Sequence, residues 1–378
     1  MKGALALAFI AVLCLAMLSA FAIKVNAQQS AAAWPMFRAN LTHSGASTSH
    51  PTLNPTLLWN YNLGERFYSS PAVVNSVVYL GSSNGNIYAL NAANGAYIWS
   101  STVGSTGSSP AVVNGVVYLG SDDGNVYAFD ASNGGTLWHY TTGGEVSSSP
   151  AVANGVVYVG SDDDNVYALN AINGDKLWHY TTGGEVSSSP AVANGVVYVG
   201  SDDDNVYALN AANGIKLWNY TTGFSVKSSP SLVDNTLYVG SEDGSVYALN
   251  ATDGVKLWSY ATGGPVDSSS AVSNGITYVG SDDGNVYALN ATDGVKLWSY
   301  STGPVDSSPA VSNGITYVSS ENGNVYALGD LPASSNNLRF VIVGTAVVLI
   351  VAVMIFLMSK KRLKPKPTSS QSLQPNST

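Results

Sequence analysis

Short apolar segments alternate with turn residues along most of the chain, and the same unit returns every 39 to 40 residues. Each unit contains four runs of the types SPAVVNG, VVYLGS, NVYAL and KLWHY, rich in the β-branched and aromatic residues that favour strands. Pairs such as Asn114-Gly115, Asp123-Gly124 and Asn133-Gly134 separate the runs and suit hairpin turns that need positive φ. The pattern predicts one antiparallel four-stranded sheet per unit. The units begin with SSPAV or a close variant at Ser69, Ser108, Ser148, Ser188, Ser228, Ser268 and Ser307.

A single four-stranded sheet of this size cannot bury both of its faces, so the copies must pack around an axis. The sequence therefore predicts an all-β, seven-bladed β-propeller over 57–328. The seventh unit stops at Leu328 without the tryptophan that ends the other six, and Trp59 in the segment LLWNYNL supplies the missing residue. We expect 57–63 to complete the last blade as its outermost strand and to close the ring. The expected docking residues are Trp59, Trp99, Trp138, Trp178, Trp218, Trp258 and Trp298.

The two ends of the chain are apolar and flank the repeats. Residues 1–27 combine Lys2, an apolar run and a Val25-Asn26-Ala27 end, which predicts a secretory signal peptide; an uncleaved anchor is the alternative. A lead-in follows at 28–56. After a linker at 329–338, the segment 339–358 has no charge from Phe340 onward and predicts a transmembrane helix.

The basic tail at 359–378 predicts the orientation of the chain. Lysine and arginine residues that directly follow a membrane span lie on the cytoplasmic side. We therefore expect a single-pass cell membrane protein with an extracytoplasmic propeller and a cytoplasmic, disordered tail.

Charge and cysteine content exclude several classes of partner and site. Residues 28–338 hold 7 basic and 24 acidic residues, a net charge of −17, which disfavours nucleic acid. The one cysteine, Cys14, lies in the predicted signal peptide, so the mature chain would have no disulfide and no thiolate metal site. No serine-histidine-acid pattern, phosphate loop or HExxH motif is present.

Acidic residues gather in the turn between the second and third strands of the units. In a propeller these turns share one face with the loops that carry Glu145, Glu185, Asp267 and Asp306. The acidic face is explained by turn chemistry and solubility, or alternatively by weak calcium binding or docking of a basic partner. The weak calcium candidates are Asp122, Asp123, Asp162, Asp163, Asp202, Asp203, Asp243, Asp282 and Asp283.

Six segments from Ala89–Trp99 to Ala288–Trp298 read AxNxxNGxxxW or nearly so, and the lead-in contains WPMFRANLTHSGAS. This pattern resembles the tryptophan-docking motif of the pyrroloquinoline-quinone-repeat (quinoprotein-like) propellers. The resemblance implies the propeller fold, which hosts quinone dehydrogenases, an outer-membrane assembly lipoprotein and non-enzymatic members. For a dehydrogenase it would imply a vicinal cysteine pair, cationic contacts for the cofactor carboxylates, calcium ligands and an aspartate base; the cysteine pair is absent here.

Units that repeat the same groups seven times favour binding over catalysis, which needs different groups at one point. We expect a monomeric, non-enzymatic scaffold without a cofactor, which binds protein or glycan partners at the cell surface, in envelope assembly or adhesion. The alternatives are a quinone-dependent dehydrogenase and a weak calcium-binding surface protein. His139 and His179 are expected to be exposed strand residues, not metal ligands. Predicted glycosylation sites are Asn40, Asn219, Asn250 and Asn290.

Overall fold

The computed structural model describes residues 36–43, 46–47, 58–62, 68–312 and 315–329, and every regular element in these ranges is a β-strand. The strands form seven separate four-stranded sheets. This arrangement confirms the predicted all-β fold with seven four-stranded blades. The inner strands of consecutive blades contact each other, so the blades pack side by side around a hub.

Six blades follow one plan, in which four strands pair in sequence order and run antiparallel. Strand β1 (Ala46–Ser47) precedes them. Blade 1 contains β2 (Ala72–Val74), β3 (Val77–Gly81), β4 (Asn86–Asn91) and β5 (Tyr97–Thr102). Blade 2 contains β6 (Ala111–Val113), β7 (Val116–Gly120), β8 (Asn125–Asp130) and β9 (Thr136–Thr141). Blade 3 contains β10 (Ala151–Ala153), β11 (Val156–Gly160), β12 (Asn165–Asn170) and β13 (Lys176–Thr181).

The remaining blades continue the series. Blade 4 contains β14 (Ala191–Ala193), β15 (Val196–Gly200), β16 (Asn205–Asn210) and β17 (Lys216–Thr221). Blade 5 contains β18 (Ser231–Val233), β19 (Thr236–Gly240), β20 (Ser245–Asn250) and β21 (Lys256–Ala261). Blade 6 contains β22 (Ala271–Ser273), β23 (Ile276–Ser281), β24 (Asn285–Asn290) and β25 (Lys296–Ser301). Blade 7 contains β26 (Ala310–Ser312), β27 (Ile315–Ser319) and β28 (Val325–Leu328), together with β1.

Five tryptophans of the motif join their blade to the next one through the same contact. The indole N–H of Trp138, in blade 2, donates to the Ala171 carbonyl of blade 3 at 3.1 Å. The hydroxyl of Tyr118, also in blade 2, donates to the same carbonyl at 3.0 Å. A Cβ on Gly174, which has φ +75°, would lie 2.7 Å from the Trp138 ring. The motif glycine is therefore required twice, for its backbone conformation and for the contact with the indole. The same tryptophan contact links Trp99 to Ala131, Trp178 to Ala211, Trp218 to Ala251 and Trp258 to Ala291.

Trp59 docks on blade 1 through its side chain. Its indole N–H donates to the Ala92 carbonyl of blade 1 at 2.9 Å, and a Cβ on Gly95 would lie 2.5 Å from its ring. Trp59 thus makes the contact with blade 1 that Trp99, Trp138, Trp178, Trp218 and Trp258 make with the following blade.

The fourth strand of blade 7 differs from the expectation. Residues 58–62 form no strand, while 57 and 63 lie outside the described residues. The strand that the structure adds is β1, which pairs in parallel with the inner strand β26, Ala46 opposite Val311. The physical reason is that the lead-in already runs along the inner edges of the blades and reaches the free backbone edge of β26 there.

The predicted signal peptide (1–27), the transmembrane segment (339–358) and the tail (359–378) lie outside the described residues. Residues from Gly329 onward form a separate unit from the propeller. Within the described part of the chain, no helix of the length and apolarity needed to cross a bilayer occurs.

We predict that Gly174→Ala destabilises the propeller more than Gly155→Ala does. Both glycines have positive φ (+75° and +78°), but a Cβ at Gly155 meets nothing within 4 Å. The backbone strain is therefore common to both variants, and the clash with Trp138 is specific to Gly174→Ala. The expected difference in unfolding free energy is about 1–3 kcal/mol, measured by urea unfolding. Equal losses in the two variants would show that the indole contact is not a close-packed one.

Candidate functional site

The candidate site lies on the face formed by two kinds of loop. The second turn of a blade connects its second and third strands, and the entry loop leads into its inner strand. Backbone hydrogen bonds join the two: the Asp162 N–H donates to the Glu145 carbonyl, and the Asp202 N–H to the Glu185 carbonyl, both at 2.9 Å. The acidic residues of the second turns and entry loops therefore lie side by side, as the sequence predicted.

These carboxylates form what we call the acidic arc, which runs through blades 2 to 7. Asp162 is repelled by Glu185, Glu145, Asp202 and Asp122, and equivalent repulsions link the later members. Lys227 interrupts the arc and pairs with Glu242 at 2.5 Å. Blade 1 carries Ser83 and Asn84 in its second turn, so the second-turn acids do not extend to that blade. The members of the arc are Asp122, Glu145, Asp162, Glu185, Asp202, Glu242, Asp267, Asp282, Asp306 and Glu321.

The second aspartate of each turn has a structural role. Asp163 accepts hydrogen bonds from the Tyr167 hydroxyl and the Gly143 N–H, both at 2.6 Å, and from the Asn165 N–H at 3.2 Å. Burial opposes ionisation, but these hydrogen bonds outweigh it and hold the pKa of Asp163 below its ordinary value. Asp163 therefore ties the entry loop to strand β12. Asp123, Asp203, Asp243 and Asp283 accept the equivalent tyrosine bond.

The first aspartate has the opposite environment. One carboxylate oxygen of Asp162, of Asp202 and of Asp282 is buried without a hydrogen-bond partner, as is one of Asp267 in an entry loop. Burial and then the charges of Glu185 and Glu145 raise the pKa of Asp162 to about 6. Burial, a hydrogen bond with Asp306 and the charge of Asp306 raise the pKa of Asp282 to about 7.

Neighbouring aspartates in one turn thus divide into a structural and a repelled group. The repelled carboxylates favour any bound positive charge, because it would relieve their mutual repulsion. Sequence reasoning placed both groups among the calcium candidates and could not separate them, since only the contacts of each side chain distinguish adjacent, identical residues.

The calcium hypothesis finds no preformed site in the part of the chain that the structure describes. No group of three or more histidine, cysteine, aspartate or glutamate residues there has an arrangement that could hold a metal ion. Asp123, Asp163, Asp203, Asp243 and Asp283 already accept hydrogen bonds from protein donors, so the half-buried first aspartates and the entry-loop acids provide the remaining negative charge of this face.

The histidines and sequons lie away from the arc. His139 and His179 are exposed, and each lies 6.0 Å from a tyrosine ring of its own blade, Tyr127 or Tyr167. Asn219 is exposed on the outer strand β17. Asn250 and Asn290 end third strands, on the face opposite the arc, whereas Asn40 is half-buried in the lead-in. Glycosylation of these residues stays a prediction.

We predict that adjacent substitutions in one turn change stability in opposite directions. Asp162→Asn removes a repelled carboxylate and should raise the melting temperature at pH 7.5. Asp163→Asn weakens three accepted hydrogen bonds and should lower the unfolding free energy by about 1–3 kcal/mol. Thermal unfolding of both variants checks this, and a change of the same sign in both would contradict the assigned roles.

The pH dependence follows from the same two groups. The folded state binds more protons than the unfolded chain wherever the pKa of a carboxyl is raised, so Asp162 and Asp282 make stability fall as the pH rises from about 4 to 7. Asp163 and its equivalents, whose pKa values are lowered, make stability fall as the pH drops below about 4. In a series of thermal unfolding curves, the melting temperature should therefore be highest close to about pH 4, between the two losses.

The comparisons with known proteins agree with this architecture. Among solved structures, BamB from Moraxella catarrhalis is similar with a TM-score of 0.66 and 20% identity, over 76% of this chain and 97% of that one. A europium-containing methanol dehydrogenase gives a TM-score of 0.66 at 14% identity, over 80% and 86%. The computationally designed Ika8 protein gives 0.56 at 16% identity, over 72% and 99%. These identities show a shared fold alone.

No curated protein sequence matches the chain. A family model described as outer membrane protein assembly factor BamB matches residues 52–146, 122–270 and 242–331. The matched segments span the repeats and confirm the resemblance to the pyrroloquinoline-quinone-repeat propellers. With most of its length matched, the chain belongs to the family described as outer membrane protein assembly factor BamB.

Proposed function

We propose that this chain is a non-enzymatic binding scaffold of the cell envelope that docks basic segments of partner proteins on its acidic arc. The observation that carries the proposal is the set of buried carboxylate oxygens without partners in Asp162, Asp202, Asp267 and Asp282. Burial, and after it the negative charge of neighbouring acids, raises the pKa of Asp162 and of Asp282, and a cationic partner would relieve the repulsion among these acids. The family's description as an assembly factor supports a scaffold role at a coarse level.

The repetition of the arc determines the kind of partner that it suits. Carboxylates that recur once or twice per blade offer several weak, similar contacts instead of one deep pocket. Such a surface favours an extended lysine- or arginine-rich segment, and it accelerates encounter more than it increases affinity. A glycan without positive charge would gain nothing from the arc, so protein is the favoured partner class.

The proposed location is extracytoplasmic, with one membrane anchor at 339–358. Strand β28 ends on the face opposite the arc, because third strands run from the second turn to the third turn. The described chain thus leaves the propeller at the face opposite the arc.

The described residues do not fit pyrroloquinoline quinone, whose three carboxylates need cationic contacts. The arc presents like charges instead, and Lys227 is engaged by Glu242. The Arg38 guanidinium, near the hub, is fully engaged by carbonyl groups. We therefore derive no dehydrogenase step for this chain.

Loading with the cofactor tests that exclusion. Adding pyrroloquinoline quinone and calcium to the full chain should give no dye reduction with alcohols or sugars. Saturable reduction that follows the added quinone would overturn the non-enzymatic assignment.

A lysine-rich peptide of defined sequence serves as the probe for the arc. We expect it to bind the full chain, and the triple variant Asp162→Asn, Asp202→Asn, Asp282→Asn to bind on the order of tenfold more weakly. Binding should also weaken with added salt and as the pH falls from 8 to 6, because the raised pKa values of Asp162 and Asp282 lead to protonation there.

The matched control removes the same number of charges from the opposite face. Asp175→Asn, Asp253→Asn and Asp293→Asn lie in third turns and should leave peptide binding unchanged. If both triple variants weakened peptide binding equally, the net charge of the chain alone would explain the binding. That result would refute docking on the arc.

A further inference from the structure

Part of the lead-in lies in the hub, where it binds the inner edges of the blades. We call residues 36–43 and 46–47 the hub segment. Its Leu41 carbonyl accepts a hydrogen bond from the Val192 N–H of blade 4 at 2.7 Å, and its Thr42 carbonyl accepts one from the Leu232 N–H of blade 5 at 2.9 Å. Strand β1 then pairs with blade 7. The segment therefore satisfies backbone groups on the inner strands of blades 4, 5 and 7. Residues 36–43 themselves form turns, in which the Ala39 N–H donates to the Met36 carbonyl and the His43 N–H to the Asn40 carbonyl.

Arg38 anchors the hub segment to blade 6. Its guanidinium donates to the carbonyl groups of Ser269, at 2.9 Å, and of Ser270, and its Nε donates to the His43 carbonyl at 3.0 Å. The side chain is 4% exposed, and burial lowers its pKa to about 9, which still leaves it charged at neutral pH. The carbonyl dipoles thus stabilise the cation. The planar guanidinium directs its N–H groups at several carbonyl groups at once, which a lysine ammonium group cannot do in the same geometry.

The repeat departs from its consensus where the hub segment docks. Ser231 occupies the position that is alanine in the other six units, and its hydroxyl donates to the His43 carbonyl at 2.8 Å. Ser270 occupies the position that is proline in the other six units, and its carbonyl accepts from Arg38 and shares the single Ser231 hydroxyl proton with the His43 carbonyl. Two departures in adjacent blades that contact the same segment indicate a specific site, not random drift.

Apolar side chains complete the contact. Met36 is 6% exposed and packs in the core between blades 2 and 3, and Leu41 packs against this core and against the one between blades 3 and 4. The segment thus buries apolar anchors on one side of the hub and its arginine on the other.

We propose that the hub is a peptide-binding site for a turn-containing, arginine-anchored segment, and that residues 36–43 and 46–47 fill it in cis. The hub segment acts as an internal ligand that holds blades 2 to 7 together at their inner edges. A peptide of the same chemistry from outside can bind only when the internal segment is weakened. The inference is independent of the acidic arc, because none of these contacts involves a carboxylate.

The test uses a labelled synthetic peptide with the sequence of residues 34–47 and the full chain. The tether gives the internal segment a high effective concentration, so wild type should exclude the peptide. The Arg38→Ala chain holds its own segment weakly and should bind the peptide at least about tenfold more tightly than wild type does. The same peptide with Arg38→Ala should bind neither chain. Equal binding of the peptide to both chains, or equal binding of both peptides, would overturn the proposal.

A milder pair of variants decides the matter if Arg38→Ala does not fold. Ser231→Ala restores the consensus residue but removes the hydrogen bond to His43, and Ser273→Ala also introduces an alanine found in other units, at a position with no hydrogen bond to the hub segment among the described residues. Hydrogen exchange at the Leu232 amide and in residues 36–43 should accelerate about fivefold in Ser231→Ala. The Ser273→Ala chain should match wild type. Unchanged exchange in Ser231→Ala would contradict a specific hub site.

Discussion

The contact between an indole and the next blade is the interaction on which the ring depends. In five consecutive interfaces a tryptophan N–H and a tyrosine hydroxyl from one blade donate to the same alanine carbonyl of the next blade, as Trp178 and Tyr158 do at Ala211. The two rings lie 5.9 Å apart, so they pack on each other and on the glycine beneath. A single blade has no acceptor of its own for this indole N–H and this hydroxyl. Each blade therefore depends on its neighbour for stability.

The same constraint explains why the first and last blades receive contacts from outside the repeats, one through a side chain and one through a short strand. Trp59 supplies the docking contact for blade 1, while β1 supplies backbone pairing for blade 7. Because these contacts come from residues that precede the first SSPAV unit, the segment before the repeats is part of the propeller. The hub segment also breaks the sevenfold sameness, since its contacts differ from blade to blade, as those of Leu41 with Val192 and of Arg38 with Ser269 do.

The repeated units and the hub segment, which occurs once, offer two different kinds of recognition surface. The repeated turns produce an arc of similar, mutually repelling carboxylates, which suits a repeated and weak mode of recognition. The hub segment makes one asymmetric set of contacts around Arg38. It occupies the hub, which the repeated strands of the blades would otherwise leave open. The acidic face therefore offers recognition by charge, and the hub offers recognition through hydrogen bonds to backbone groups.

The sequence by itself determined the number of blades, the strands within each blade, the tryptophan motif and the acidic face, because these features repeat and each repeat depends on short-range patterns. Only the tertiary structure separated Asp162 from Asp163, because their difference lies in partners from an entry loop that sequence spacing does not locate. It also placed β1 and Arg38 in the hub. The segment occurs once, and its partners Ser231 and Ser270 are more than 180 residues away, so no periodicity could reveal the contact.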